Sequence, residues 1–158
     1  MISATDALRA TPLVSELTAA EIDTLARLVH VRALADGEVL VAEGAKDSKL
    51  HVVLSGRIDV VRAGEHGNHV LQSLRAGDLV GELSFMEDAP RFAGLVATGP
   101  TEVLALDRVD FETLIAGSPW IVYKVMRAIM HAARNVQRRL SLQMRDFENY
   151  LYRTGARN

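Results

Sequence analysis

The spacing of apolar positions changes twice along this chain. Thr11-Pro12 pairs a capping hydroxyl with a proline at the first helical position and opens a short helical turn carrying Leu13, Val14 and Leu17. Thr18-Ala19-Ala20-Glu21 has the capping-box pattern, and Ile22, Leu25, Ala26 and Val29 follow at helical steps. This predicts a helix over about 19 to 30. From Val31 the period falls to two. Leu50, Val52 and Leu54 alternate with their neighbours, as do Ile58 and Val60 against Arg57 and Asp59. The runs Val39–Ala42, Leu50–Leu54, Ile58–Arg62 and His69–Leu74 read as short strands. Glycines 37, 44, 56, 64, 67 and 77 punctuate them. Ala63 to Asn68 is expected to be a hairpin tip and Ala76-Gly77-Asp78 a turn. Leu95–Thr98 and Glu102–Leu106 are predicted as two closing strands separated by a Gly99-Pro100 turn.

After residue 106 the spacing becomes helical again. Asp107 is placed to cap a helix bearing Phe111, Leu114 and Ile115, with Gly117 just past its end. Ser118-Pro119 repeats the cap-plus-proline device and opens a long helix reaching Tyr150 or beyond. Along it Ile129, Ala133, Val136, Leu140, Met144, Phe147 and Leu151 recur at alternating steps of three and four, an a/d seam for pairing with a second copy. Many short strands with evenly spaced turns, flanked by helices, give a mainly β fold of the sandwich, jelly-roll or barrel kind. Two parts are expected: residues 1–118, the β domain with its N-terminal helices, and residues 119–158, the long C-terminal helix that forms the hinge and dimer seam.

Composition narrows the classes. The chain has 158 residues, enough for one domain with an appendage, and its 49% apolar content suits an ordinary globular core. It has no cysteine, which excludes disulfides and thiolate chemistry. No apolar run approaches the length of a membrane span, and Met1 to Ala10 lacks the pattern of a signal peptide, so a cytoplasmic protein is expected. The net charge of −2 hides an asymmetry. From Lys124 onward eight basic residues (Lys124, Arg127, Arg134, Arg138, Arg139, Arg145, Arg153, Arg157) face two acids, a net +6; the rest, with ten basic and eighteen acidic residues, carries −8. Such a tail serves either as the solvated outer face of a dimer helix or as a contact for nucleic acid, acidic membrane or an acidic partner.

The chemistry concentrates between Asp78 and Thr98. A glycine frees backbone N–H groups at a short helix start (Gly81-Glu82-Leu83-Ser84), and an arginine arrives from the far side (Pro90-Arg91). Together they make a place for one small anion. The carboxylate of Glu82 beside that place suits a hydroxyl on the same ligand. A negative group next to a hydroxyl describes a cyclic nucleotide. Gly81-Glu82-Leu83 and Pro90-Arg91, with their spacing, resemble the phosphate-binding cassette of the cyclic nucleotide-binding domains, and the resemblance extends over roughly residues 12 to 140. It implies a β-roll, or double-stranded β-helix, with helices at both ends. It also implies that Arg91 pairs with the cyclic phosphate, that Glu82 holds the ribose hydroxyl, and that backbone N–H groups around Leu83 and Ser84 add phosphate bonds. The expected ligand is cyclic AMP, and ligand binding is expected to be passed on through the C-terminal helix. By the same resemblance, Arg134, Asn135 and Gln137 lie on the part of that helix that approaches the base.

Phe92, next to Ala93, departs from the family, which has a small or hydroxylated residue after the arginine. Its ring is a core aromatic, a stacking platform for a base, or a plug in the pocket. The plug motivates two other readings: a degenerate domain used as a non-binding dimerisation scaffold, or a sensor of a different anion such as a cyclic dinucleotide. His66 and His69 have metal-ligand spacing but sit on the expected hairpin tip, so a solvated hairpin is preferred to a metal site. No nucleophile motif, phosphate-binding Walker loop or paired-acid arrangement is present, so no catalytic residue is assigned and no enzyme is expected. The family's transcription factors continue into a DNA-reading module after the long helix. This sequence stops at Asn158, so DNA binding is not expected.

Overall fold

Two long strands form the spine of the molecule. The computed structural model describes residues 2–155. Helix α1 (Ala4–Arg9), a single 3₁₀ turn (Pro12–Val14) and helix α2 (Ala19–Ala26) precede strands β1 (Val29–Leu34) and β2 (Val39–Val41). The spine is β3 (Lys49–Gly64) and β6 (Gly94–Asp107), with β4 (Gly67–Arg75), β5 (Leu79–Val80) and the short helix α3 (Glu82–Met86) between them. Helices α4 (Arg108–Glu112), α5 (Leu114–Gly117) and α6 (Pro119–Gly155) close the chain. All strand pairs are antiparallel, in the order β1-β6-β3-β4, with β2 on β6 and β5 on β3. This is a mainly β roll with flanking helices and a long C-terminal helix.

The end signals act as the sequence indicates. Thr11 Oγ1 accepts the Leu13 N–H, Thr18 and Glu21 form a reciprocal capping box, and Asp107 accepts the Val109 N–H. The hairpin tip narrows to Glu65-His66, because Gly64 and Gly67 already face each other in the ladder. His66 and His69 are exposed there. Among the described residues, no group of three or more His, Asp or Glu side chains could hold a metal.

Four elements differ from the sequence expectation. The helix expected over 19 to 30 stops at Ala26, because Val29 and His30 pair with Leu106 and Ala105 in β1. Val29 still packs in the same core as Leu25, so the spacing was right about burial and not about backbone. The runs 50–54 and 58–62 are one strand, β3, and the runs 95–98 and 102–106 are one strand, β6. The glycines between them are bulges rather than turns: the β3–β6 register shifts between Val53 and Ser55 and again between Ser55 and Arg57. Gly56 sits at φ 81°, and a Cβ there would lie 2.4 Å from the Pro100 carbonyl oxygen. The hydroxyl of Thr101 accepts the Arg57 N–H and ties the two bulges together. The helix after Asp107 also breaks in two at Thr113, whose hydroxyl bonds back to the Asp110 carbonyl.

Two apolar clusters result. One fills the roll with Leu34, Val53, Ile58, Leu74, Leu95 and Val103. The other joins the N-terminal helices, the ends of the spine strands and α6, through Leu8, Leu25, Leu50, Leu106, Phe111 and Val125. The seven-residue seam divides between them and solvent. Ile129 is buried in the second cluster, Ala133 packs on it and Val136 packs on the roll cluster. From Met144 the seam is exposed: Met144, Phe147 and Leu151 are more than half accessible. The upstream half of the expected dimer seam is therefore spent on the chain's own core. The charge asymmetry is partly spent in the same way, since Lys124 pairs with Glu21 (2.8 Å), Arg127 with Glu16 (3.3 Å) and Arg139 with Asp78. Arg157 lies outside the described residues.

Candidate functional site

The Gly-Glu-Leu segment turns β5 into α3 with a left-handed residue. Gly81 is the N-cap at φ 90° and makes no side-chain cap. Only glycine fits this position, because a Cβ would lie 2.0 Å from Nη1 of Arg91. Arg91 thus lies directly beneath the start of α3. Its loop is fixed by backbone bonds to the opposite turn: Arg91 N–H donates to the Ala45 carbonyl and Gly44 N–H to the Arg91 carbonyl, both at 2.8 Å. Phe85 anchors α3 from below, fully buried, with its ring 5.5 Å from that of Phe111.

Arg91 is only 6% exposed and is partnered from inside. Its Nη2 donates to the Lys49 carbonyl oxygen at 2.5 Å and lies 3.7 Å from Asp47 Oδ2, while Nε is buried with no partner. Burial pulls the guanidinium below the ordinary arginine value, and the charges of Asp47 and Glu82 oppose that pull. Burial likewise raises Asp47, but a bond from His51, the Lys49 N–H and the charges of His51 and Arg91 outweigh it and bring the carboxyl down to about 2. His51 Nε2 lies 3.4 Å from Asp47, and its Nδ1 has no partner. Burial holds this imidazole below its ordinary value, so it is neutral near pH 7. Sequence reasoning missed Asp47 and His51. Their signal was weak, since they are four residues apart on a loop and strand far from the cassette.

Beside the cassette lies a cleft of about 730 Å³ between the roll and α6. Leu74, Leu79 and Val80 form its apolar floor, and Met130, Val136 and Leu140 its roof. Glu82 and Gln72 are the polar side chains from the roll, and Arg127, His131, Arg134 and Gln137 those from α6. Asn135, expected with Arg134 and Gln137, instead borders a cavity on the other side of α6. The helix is held over the cleft by a two-point clasp: Arg139 Nη1 and Nη2 donate to the two oxygens of Asp78 at 3.0 and 2.5 Å. Burial raises Asp78, and the Arg139 and Arg75 contacts more than reverse it.

The expected site residues fall into groups. Gly81, Glu82 and Arg91 come together. Ala93 is buried next to the first residue of β6, and Ser84 is buried facing a smaller cavity that Lys46 and Arg108 also border. Leu83 points outward, 70% exposed. Phe92 is 66% exposed and does not border the cleft; its ring lies under Arg62, whose Cζ is 4.0 Å from the ring centroid.

A buried arginine under a helix start suits an anion, and the roofed apolar cleft beside it suits the flat remainder of a small molecule. The class is a ligand-binding β-roll. The model of the cyclic nucleotide-binding domain matches residues 31–118, and the chain belongs to that family. It is 30% identical over 142 residues to the cyclic AMP receptor protein of Thermus thermophilus, covering 89% of this chain and 65% of that protein. It is 31% identical over 91 residues to a cAMP-dependent protein kinase regulatory subunit of Mycosarcoma maydis, covering 58% of this chain and 17% of that one. The chain therefore spans less than two thirds of either relative. Among solved structures, the N-terminal domain of a Streptomyces coelicolor transcriptional regulator superposes with a TM-score of 0.69 at 27% identity, covering 85% of this chain and 95% of that one. The catabolite activator protein of Thermus thermophilus gives 0.65 at 28% identity, over 84% and 63%. Among the described residues, no helix is long and apolar enough to cross a membrane.

Proposed function

We propose that this chain is a sensor of a cyclic nucleotide, most simply cyclic AMP, rather than an enzyme. The observation that carries the reading is the stacking of Gly81, at φ 90°, directly on the guanidinium of Arg91, with Glu82 bordering the adjacent cleft. The cyclic phosphate takes up Arg91 together with the unpaired N–H groups at the start of α3, around Leu83 and Ser84. Glu82 accepts the ribose hydroxyl. The base enters the apolar cleft under α6. Phe92, held outside by Arg62, leaves that cleft clear, which favours binding over the plugged-scaffold reading.

The ligand acts through differential affinity for two positions of the cassette. Arg91 is turned to the Lys49 carbonyl and Asp47. Phosphate competes for it and draws α3 inward. Phe85 carries that displacement to Phe111 and so to the α4–α5 segment from which α6 departs. The response is a repacking of α6, and its exposed apolar stripe from Met144 onward is where a second copy pairs with it. Isothermal calorimetry tests the site. Wild type is expected to bind one cyclic AMP per chain, and Arg91→Ala to bind none. Equal affinity in the two proteins removes Arg91 from the site.

A further inference from the structure

One carboxylate oxygen behind the cassette serves two partners. His51 Nε2 lies 3.4 Å and Arg91 Nη2 3.7 Å from the same Oδ2 of Asp47. Only 4% of the His51 side chain is exposed. An ionised Asp47 can only accept, so Nε2 carries the imidazole hydrogen and Nδ1 the lone pair. Nδ1 is buried and has no hydrogen-bond partner among the described residues. It is therefore the atom at which this ring gains a proton. The charged groups acting on the ring are Asp47 from the loop before β3, Arg91 from the cassette and Lys49 on β3 itself. Lys49 is half exposed and faces Asp107 at 4.0 Å. The ladder neighbours of His51, Val80 on β5 and Ala105 on β6, are apolar. Glu82 acts one step away, on Arg91. Asp47 and Arg91 cancel, so a neutral His51 leaves the buried group without net charge.

We propose that His51 couples the cassette to pH: when the ligand's phosphate engages Arg91, Nδ1 of His51 takes up a proton, and the nucleotide binds more tightly as pH falls toward 6. This rests on the function proposed above. Charge sets the sign. A phosphodiester brings one negative charge to Arg91. If Arg91 keeps its place, the buried group has gained an anion. If Arg91 swings toward the phosphate, Asp47 has lost its cation. Either way the charged imidazole is favoured, and its proton restores neutrality. Linkage is reciprocal, so protonation of His51 strengthens nucleotide binding by the same factor by which the nucleotide strengthens protonation. Burial, which holds the imidazole neutral near pH 7, keeps the proton off until the phosphate arrives.

The test is calorimetric titration of the full chain with cyclic AMP, in two buffers of different ionisation enthalpy and at pH 8, 7 and 6. Wild type is expected to take up a fraction of one proton on binding at pH 7. Its affinity is expected to rise at least about threefold from pH 8 to pH 6, within the limit of about tenfold per pH unit that one proton sets. His51→Gln is expected to bind with no proton uptake and a flat pH profile. His131 on α6 also borders the cleft, so His131→Gln is the control and is expected to keep the wild-type uptake. A readout that needs no substitution is the His51 imidazole signal in an NMR pH titration of wild type, whose midpoint is expected to move upward when cyclic AMP is added. Binding without proton uptake, uptake that persists in His51→Gln or is lost in His131→Gln, or an unmoved His51 midpoint overturns the coupling while leaving the site intact. Failure of wild type to bind cyclic AMP at any of these pH values overturns the site and the coupling together.

Discussion

Asp47, His51 and Arg91 form a buried group whose charges are balanced only while His51 stays neutral. Because burial holds the folded imidazole below its unfolded value of about 6.5, the unfolded chain takes up a proton first as pH falls. His51 therefore leaves stability at its maximum above about pH 6.5 and erodes it progressively below. Melting temperature recorded from pH 8 to pH 5 is expected to fall in wild type and to fall less in His51→Gln; parallel curves would contradict this. Asp47 acts in the opposite range. Its folded value of about 2 is below the ordinary carboxyl value, so its contribution is present above about pH 4 and is lost as pH drops toward 2. At Gly81 the constraint is steric. Gly81→Ala puts a methyl group 2.0 Å from Nη1 of Arg91 and a side chain at positive φ, which alone costs about 1–2 kcal/mol. The variant is expected to unfold at lower denaturant and to lose cyclic AMP binding. Retained affinity would mean that Arg91 need not sit under the helix start.

At the scale of elements, the sequence was legible where the deciding contacts are local. The capping box at Thr18, the proline at the start of α6, the Glu65-His66 hairpin and the turn to α3 are each set by residues a few positions apart. The same holds for the core of the candidate site, since Gly81, Glu82 and Arg91 lie within eleven residues of one another. What was not legible depends on distant partners. Gly56 and Gly99 each resemble turns. They are bulges because Thr101, 44 positions after Arg57, bonds that residue's N–H and holds the two strands in one ladder. The end of α2 is decided by pairing with Leu106, and Gln72 and Asp47 gain meaning only from what the fold brings beside them. Thr101→Val keeps the shape and leaves the part-buried Arg57 N–H without this partner. We expect a loss of about 1–3 kcal/mol in chemical denaturation; a change within error would show that the hydroxyl does not tie the bulges.

For the whole molecule, an acidic body and a basic helix are joined by Lys124–Glu21, Arg127–Glu16 and the Asp78–Arg139 clasp. Part of the charge asymmetry thus secures α6 over the cleft and is not free for a polyanion. The helix then continues past the body: its 37 residues extend about 55 Å. Met144 and Phe147 stand exposed on the extension, one to each of two adjacent turns. The proposed pairing of two copies along this stretch predicts a dimer by analytical ultracentrifugation, shifted toward monomer by Phe147→Glu with the melting temperature of the body little changed. A wild-type monomer at all concentrations would contradict it.

The central claim is that the cassette binds a cyclic nucleotide, and thermal unfolding with and without saturating cyclic AMP tests it most directly. A ligand at a hundred times its dissociation constant stabilises the folded state by about 2.7 kcal/mol, which in a domain of this size raises the melting temperature by several degrees. The account predicts that rise for wild type and none for Arg91→Ala. No rise in wild type with either cyclic AMP or cyclic GMP would contradict it.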